Sequence, residues 1–106
     1  MTPEHKLMNE VRAWCGSKGY LAFHCNVGIF YTPDGRKCAT GLPEGFSDLL
    51  VLDTHGNTSF VETKVHPRRP TSEQVRFIDE MRARGFRAGV AYTLEEAIAV
   101  ITGCHL

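Results

Sequence analysis

An acid and a lysine stand two positions apart in an apolar segment of the chain, at Glu62 and Lys64. If this segment is a β-strand, side chains at i and i+2 point to the same face, so the two charges project together. Asp48 opens the preceding apolar segment, and an odd loop at residues 55–57 would pair it with Lys64 in an antiparallel hairpin. Asp48 would then lie diagonally opposite Glu62, within about 7–8 Å at Cβ. Charged groups on a buried sheet are unfavourable unless they are paired or bind metal, so this convergence indicates a site.

The chemistry that suits these groups is metal-assisted hydrolysis of a phosphodiester. Two converging carboxylates raise each other's pKa unless a cation lies between them, and oxygen-only ligands in a small site suit Mg²⁺ or Mn²⁺. Such an ion on Asp48 and Glu62, with the Thr63 carbonyl as a further oxygen, would lower the pKa of a water molecule and support charge on the phosphate. Lys64 would orient or activate that water and stabilise the developing charge. The alternative is a solvent-facing acid–lysine pair on an edge strand, which the position of Asp48 disfavours.

Apolar periodicity and turn signals predict the elements that must position these residues. A first helix is predicted over residues 4–18, with Thr2 as its N-cap and Pro3 in its first turn. The Gly-rich segment 27–45 is expected to be irregular, with a small hairpin at its Asp-Gly turn. Strands are expected at residues 20–26, 48–53, 59–65 and 86–92.

Capping signals open two further helices. Thr71 with Gln74, and Thr93 with Glu96, each match a capping box, and Val75 is expected to face the core. The elements run in the order α β β β α β α, which predicts an α/β fold with a mixed β-sheet flanked by helices. The two strands that flank the second helix should be parallel. No linker or repeat interrupts the pattern, so residues 1–106 are predicted to form one domain.

Composition excludes several classes of protein. The 106 residues are 42% hydrophobic and 23% charged, and no apolar run is long enough to span a bilayer, so a globular protein without a membrane span is expected. Four cysteines without a C-x-x-C pair, and no export signal, predict reduced thiols and a cytoplasmic location. The formal net charge is zero, yet residues 64–87 contain seven Lys/Arg and only three Asp/Glu. This basic stretch is a candidate contact for a polyanion.

Between residues 41 and 97 the chain contains the runs GLPEGFSDLL, FVETK, TSEQ and GFRAGVAYTLEEA. With these runs the chain resembles, over nearly its whole length, the VRR-NUC domain of the PD-(D/E)XK nuclease superfamily. That family includes the nuclease module of Fanconi-associated nuclease and small phage-type proteins, and it is similar to Holliday-junction resolvases. The resemblance implies a restriction-endonuclease-like fold and a Mg²⁺- or Mn²⁺-dependent endonuclease that acts on branched or flapped DNA. It further implies a homodimer in the cytoplasm of a bacterial or phage-infected cell.

The resemblance also assigns roles to individual residues. Asp48, here preceded by Ser47 rather than by proline, matches the metal-binding aspartate, and Glu62 and Lys64 match the E-x-K motif. Gln74 matches the glutamine that follows this motif, where it would orient the lysine or contact a phosphate. The capping box alone also explains Gln74, so both interpretations stay open.

The family also uses a glutamate on the first helix, and both Glu4 and Glu10 are candidates. Glu4 is favoured as the catalytic, metal-binding acid because it matches the motif position ahead of the apolar repeat. Basic residues that follow the E-x-K strand or lie at the tip of the Gly-rich segment are the candidates for contacts with DNA phosphates. They are Arg36, Lys37, Arg68, Arg69 and Arg76.

Two other functions stay open at this point. The same fold would support a non-enzymatic module that binds DNA structures, although a decayed site would be expected to have lost one of its charged groups. An RNase or a sequence-specific restriction enzyme is the other alternative. It is disfavoured because the chain is short for a subdomain that reads bases.

Overall fold

The structure, a computed structural model, describes residues 1–104. The elements within these residues are α1 (Pro3–Ser17), β1 (Leu21–His24), β2 (Ile29–Tyr31), β3 (Lys37–Ala39), β4 (Leu49–Leu52), β5 (Thr58–Thr63), α2 (Ser72–Ala83), β6 (Arg87–Ala91) and α3 (Leu94–Thr102). The main sheet has the strand order β1-β4-β5-β6, in which only β5 and β6 are parallel. This confirms the predicted mixed sheet flanked by helices. The predicted element order lacked β2 and β3, which pair with each other as the small hairpin expected at the Asp-Gly turn.

The loop between β4 and β5 sets a register that differs from the predicted one. The amide of Asp53 donates to the Asn57 carbonyl at 3.1 Å, so the loop comprises residues 54–56, one position earlier than expected. The Asp53 carboxylate accepts hydrogen bonds from the Asn57 side chain (2.9 Å) and from the amides of Asn57 (2.9 Å) and His55 (2.8 Å). These hydrogen bonds lower the pKa of Asp53 to about 2. Gly56 completes the turn with a φ of +83°, a conformation that glycine adopts without strain.

This register changes which charged residues face each other. Leu49 pairs with Val61, so Asp48 lies level with Glu62, and the predicted pairing of Asp48 with Lys64 is wrong. The two registers differ by two positions, an even number, so the three charged side chains still share a face.

Apolar side chains from helices cover both faces of the main sheet. Ile78 of α2 packs with Phe60 of β5 on one face, and Phe46 and Phe77 join them in a cluster of tilted and edge-on rings. The expectation that Val75 faces this core is wrong, because the residue is 42% exposed. Helices α1 and α3 cover the other face, where the buried residues are Leu7, Met8, Val11, Cys15, Leu49, Val51, Val61, Ala91, Ala97, Val100 and Ile101.

The N-terminal caps of α2 and α3 differ from each other. Thr71 and Gln74 form the complete capping box that was predicted for α2. At α3, the Glu96 amide donates to the Thr93 hydroxyl at 3.1 Å, but the Glu96 carboxylate accepts instead from the Tyr92 amide at 2.6 Å. The second predicted capping box is therefore only half formed. Its glutamate ties α3 to the end of β6.

The β2–β3 hairpin and the edge strand β1 expose apolar side chains. Leu21 and Phe23 on β1, and Ile29, Phe30 and Tyr31 on β2, are between 48% and 68% exposed. Among the described residues, no helix combines the length and apolarity needed to cross a bilayer.

Candidate metal centre

Three carboxylates from distant parts of the chain converge at one end of the main sheet. Glu4 lies in the first turn of α1, Asp48 directly precedes β4, and Glu62 lies near the end of β5. One oxygen atom of each lies within 4.8 Å of the other two. Within residues 1–104, no other group of three or more His, Cys, Asp or Glu side chains is arranged closely enough to hold a metal ion.

The position of Glu4 follows from the N-terminal cap of α1. The Thr2 hydroxyl accepts a hydrogen bond from the His5 amide at 3.1 Å, and Pro3 occupies the start of the helix. This cap fixes the first turn, which carries Glu4. Glu10 is exposed and lines a separate groove between α1 and the start of α3. Of the two first-helix candidates, the structure therefore brings Glu4, and not Glu10, to the other acids.

Glu62 is buried, and one of its oxygens is unsatisfied. The residue is 1% exposed. Its Oε2 lies 3.2 Å from Gln74 Nε2 and 3.9 Å from Lys64 Nζ, whereas Oε1 has no hydrogen-bond partner among the described residues. Burial, followed by the nearby charge of Asp48, raises the pKa of Glu62 to about 9. Buried polar atoms without partners are rare and unfavourable, and a bound cation could satisfy this oxygen.

Thr63 holds the carboxylate of Asp48. Asp48 Oδ2 accepts hydrogen bonds from the Thr63 amide at 3.0 Å and from its hydroxyl at 2.8 Å. The sequence interpretation gave Thr63 a role only through its carbonyl oxygen, and that metal-ligand role stays a prediction. The hydroxyl contact was missed because Asp48 directly precedes β4 and Thr63 ends β5, and the hydrophobic pattern did not determine the register of these two strands.

Lys64 and Gln74 both contact Glu62. Lys64 is 4% exposed, so its ammonium group is held in place by its surroundings. Gln74 has two partners: Oε1 accepts from the Thr71 amide at 2.8 Å, and Nε2 donates to Glu62 Oε2 at 3.2 Å. The glutamine thus caps α2 and also orients an acid of the site. The amide nitrogen of Gln74 donates to Glu62 and makes no hydrogen bond to Lys64.

The predicted phosphate contacts differ in their surroundings. Arg68 lies against the acid cluster, with Nη1 3.2 Å from Glu4 Oε2. Arg36 in the hairpin and Arg76 on α2 pair with acids of their own segments, at 3.0 and 3.9 Å. Lys37 and Arg69 are exposed and have no ion-pair partner within residues 1–104. Arg68 is therefore the cation of this group that the structure ties to the carboxylates.

A cavity of about 360 Å³ opens beside Glu4 and Asp48. Its lining includes His24, which the sequence interpretation did not connect with the site. His24 on β1 pairs with Leu49 on β4, the residue next to Asp48. The proximity of His24 to the site therefore depends on β1 and β4 being neighbours, which the sequence pattern does not show. The other lining residues are Thr2, Glu4, His5, Met8, Asp48 and Thr63.

Comparisons with known proteins support the fold. No family model matches the chain, and no curated protein matches it. Among solved structures, the chain is similar to one described as a VRR_NUC domain, at 23% sequence identity and a TM-score of 0.70. The match covers 96% of this chain and 97% of that chain. The protein therefore has the fold of a VRR-NUC domain, as its motifs predicted.

Proposed function

We propose that this protein is a nuclease that hydrolyses DNA phosphodiester bonds with Mg²⁺ or Mn²⁺. The observation that carries the proposal is the buried Oε1 of Glu62, which has no partner among the described residues. This oxygen belongs to a cluster in which Asp48 and Glu4 offer two further carboxylates. The fold likeness to a VRR_NUC domain supports a nuclease function.

The donor set suits a small, hard cation. All three acids offer carboxylate oxygens, which are the ligands that Mg²⁺ and Mn²⁺ accept in proteins. A divalent ion would offset the repulsion between Asp48 and Glu62 and would favour the ionised form of Glu62, whose pKa burial otherwise raises to about 9. One oxygen of each acid is held by a protein donor, from Thr63, Gln74 or Arg68. The second oxygen of each acid is then available to the ion.

The neighbouring side chains would position and activate the reactants. When bound, the metal ion supplies positive charge that lowers the pKa of water and stabilises negative charge on the reacting phosphate. Lys64 presents its ammonium group beside Glu62, where it would hydrogen-bond the attacking water and stabilise charge as it develops. Thr63 and Gln74 would keep the carboxylates of Asp48 and Glu62 oriented during the reaction.

The proposed substrate is branched or flapped DNA, and the proposed assembly is a homodimer in the cytoplasm of a bacterial or phage-infected cell. The exposed apolar side chains of β1 and β2 support self-association. A two-fold symmetric dimer would present two sites, one for each of two strands. The exposed cations would bind phosphates and position the DNA without reading its sequence; they are Arg36, Lys37, Arg69 and Arg76.

A cleavage assay tests this function. Purified protein is incubated with labelled linear, flapped, splayed and four-way DNA, and with RNA, in Mg²⁺, Mn²⁺ or EDTA. We expect metal-dependent nicking that is lost in Glu62→Gln and in Glu4→Gln. Glu10→Gln is the matched control, because it removes the same charge from the same helix as Glu4→Gln, and it should cleave like the wild type.

The outcomes separate the candidate functions. Cleavage that persists in EDTA or in Glu62→Gln would refute the proposed reaction. Binding of branched DNA without any turnover would favour the non-enzymatic module. Cleavage of RNA in preference to DNA would favour an RNase.

A further inference from the structure

Arg68 stands in the same relation to Glu4 as Thr63 does to Asp48. In both pairs a protein donor holds one carboxylate oxygen, and the second oxygen is left for another ligand. We propose that Arg68 is the positioning residue for Glu4 in the metal centre, and that Tyr92 fixes Arg68 for this task. The inference rests on the proposed function, since it concerns the metal-binding site assigned there.

The ion pair by itself is weak. Arg68 Nη1 lies 3.2 Å from Glu4 Oε2, and the side chains of the two residues are 65% and 26% exposed. Exposed pairs of long side chains contribute little, because ordering both chains offsets the Coulomb attraction. The pair can orient Glu4 only if the backbone that carries Arg68 is already held in place.

Tyr92 supplies that restraint. Its hydroxyl donates to the Arg68 carbonyl at 3.0 Å, and its ring stacks on His66 with a centroid distance of 4.3 Å and an interplanar angle of 14°. The Tyr92 backbone amide in turn donates to the Glu96 carboxylate at 2.6 Å. The Arg68 amide also donates to the Val65 carbonyl at 2.9 Å. The turn after β5 is therefore tied to the junction of β6 and α3, and it carries the guanidinium to the first turn of α1.

This assignment replaces the interpretation of Arg68 as a simple phosphate contact. A guanidinium that donates to Glu4 has that part of its hydrogen-bonding capacity engaged before DNA arrives. Arg69, the next residue, is exposed and has no ion-pair partner within residues 1–104, so it is the better candidate for a phosphate. Donors that hold metal ligands in orientation affect metal affinity by about 10- to 100-fold when they are removed.

The direction in which Arg68→Ala changes the affinity for a divalent ion distinguishes a positioning role from simple electrostatics. Arg68→Ala removes a positive charge close to a cation site, and by Coulomb's law alone this change should tighten the binding of a divalent ion. If Arg68 holds Glu4 in place, the same change should weaken binding instead. Tyr92→Phe alters no charge and keeps the aromatic ring, so it tests the restraint separately.

The experiment is a calorimetric titration of the full chain with Mn²⁺ alone, without DNA. We expect Arg68→Ala to weaken Mn²⁺ binding about 10-fold, and Arg68→Lys to recover part of the loss. Tyr92→Phe should weaken binding less, by about 3- to 5-fold, because it loosens the turn that carries Arg68 but keeps the guanidinium. Arg69→Ala and Tyr20→Phe are the matched controls; Tyr20 packs edge-on against Trp14 of α1 and does not line the cavity beside Glu4 and Asp48. The Mn²⁺ affinities of both variants should stay within about twofold of the wild type.

Unfolding temperatures in EDTA establish that each variant is folded. If Arg68→Ala does not fold, Arg68→Lys and Tyr92→Phe decide the question, because both are conservative changes. Unchanged or tighter Mn²⁺ binding in the Arg68 variants and in Tyr92→Phe would overturn the inference and leave the proposed function standing. A wild-type protein that binds no Mn²⁺ would overturn the metal centre itself, which is a different result.

Discussion

Replacing Glu62 by glutamine should make the metal-free protein more stable at neutral pH. Glu62 is 1% exposed, and burial together with Asp48 raises the pKa of its carboxyl group to about 9, against an ordinary value of 4.5. Between pH 4.5 and pH 9 the folded state therefore keeps a proton that the unfolded state has lost. A glutamine resembles the protonated acid in shape but cannot ionise.

The sign and size of the effect follow from this proton. Because the folded state binds more protons, the wild-type free energy of unfolding falls as pH rises, by about 1.4 kcal/mol per pH unit for a single group. The contribution of the protonated Glu62 carboxyl to wild-type stability is complete below its unfolded pKa of 4.5 and is lost as pH rises through its folded pKa of about 9. From pH 5.5 to pH 7.5, the stability of Glu62→Gln relative to the wild type should therefore grow by about 3 kcal/mol.

The assay is urea unfolding, followed by far-UV circular dichroism, in EDTA at pH 5.5, 6.5 and 7.5. Taking the difference between variant and wild type removes contributions of the histidines that are common to both. Glu10→Gln, which changes an exposed acid, should differ from the wild type by less than about 0.5 kcal/mol at each pH. A Glu62→Gln difference that does not change with pH, or that shrinks as pH rises, would refute the reasoning.

Three further predictions concern the metal, the lysine and a glycine. In the urea titration at pH 7.5, Mn²⁺ at 100 times its Kd should raise the unfolding free energy of the wild type by about 3 kcal/mol, and chelation should reverse this gain. Glu62→Gln should gain much less stability from the same Mn²⁺ concentration. Lys64→Met should reduce single-turnover DNA cleavage at least about 100-fold while calorimetry detects Mn²⁺ binding; wild-type cleavage rates would contradict its proposed role. A Cβ at Gly45, where φ is +93°, would lie 2.5 Å from a backbone oxygen of α2, so Gly45→Ala should lower stability by about 2–4 kcal/mol. Gly28 has a φ of +98° but open space around it, so Gly28→Ala should lower stability by only about 1 kcal/mol. Thermal melts of both glycine variants measure the two losses, and equal losses would count against the steric argument.

Local signals predicted much of the fold. Thr71 and Gln74 are close in sequence, so their capping box could be recognised without knowing what α2 packs against. The spacing of Glu62 and Lys64 predicted a shared face, and the two side chains do lie 3.9 Å apart. The resemblance to a known family then favoured Glu4, which the structure brings to the other acids.

The sequence pattern did not predict contacts that depend on how distant parts of the chain pack together. Two registers of the β4–β5 hairpin keep the same residues facing the core, and the hydrogen bonds of Asp53 within the loop select between them. The pairing of Arg68 with Glu4 joins residues 64 positions apart and depends on where the first helix docks. The same is true of His24, whose position beside the acids depends on β1 lying next to β4.

The double contact of Gln74 explains why a glutamine stands at that position. A capping box accepts either glutamate or glutamine at its third helical residue, and either would accept the hydrogen bond from Thr71. Only glutamine also carries an N–H group that can donate to Glu62, whereas a glutamate would bring a further negative charge to that acid. Exchanging glutamine for glutamate would keep the cap of α2 intact, but it would place a second negative charge beside Glu62 on β5. Gln74→Glu is thus a neutral substitution for α2 and a disruptive one for the site beside it.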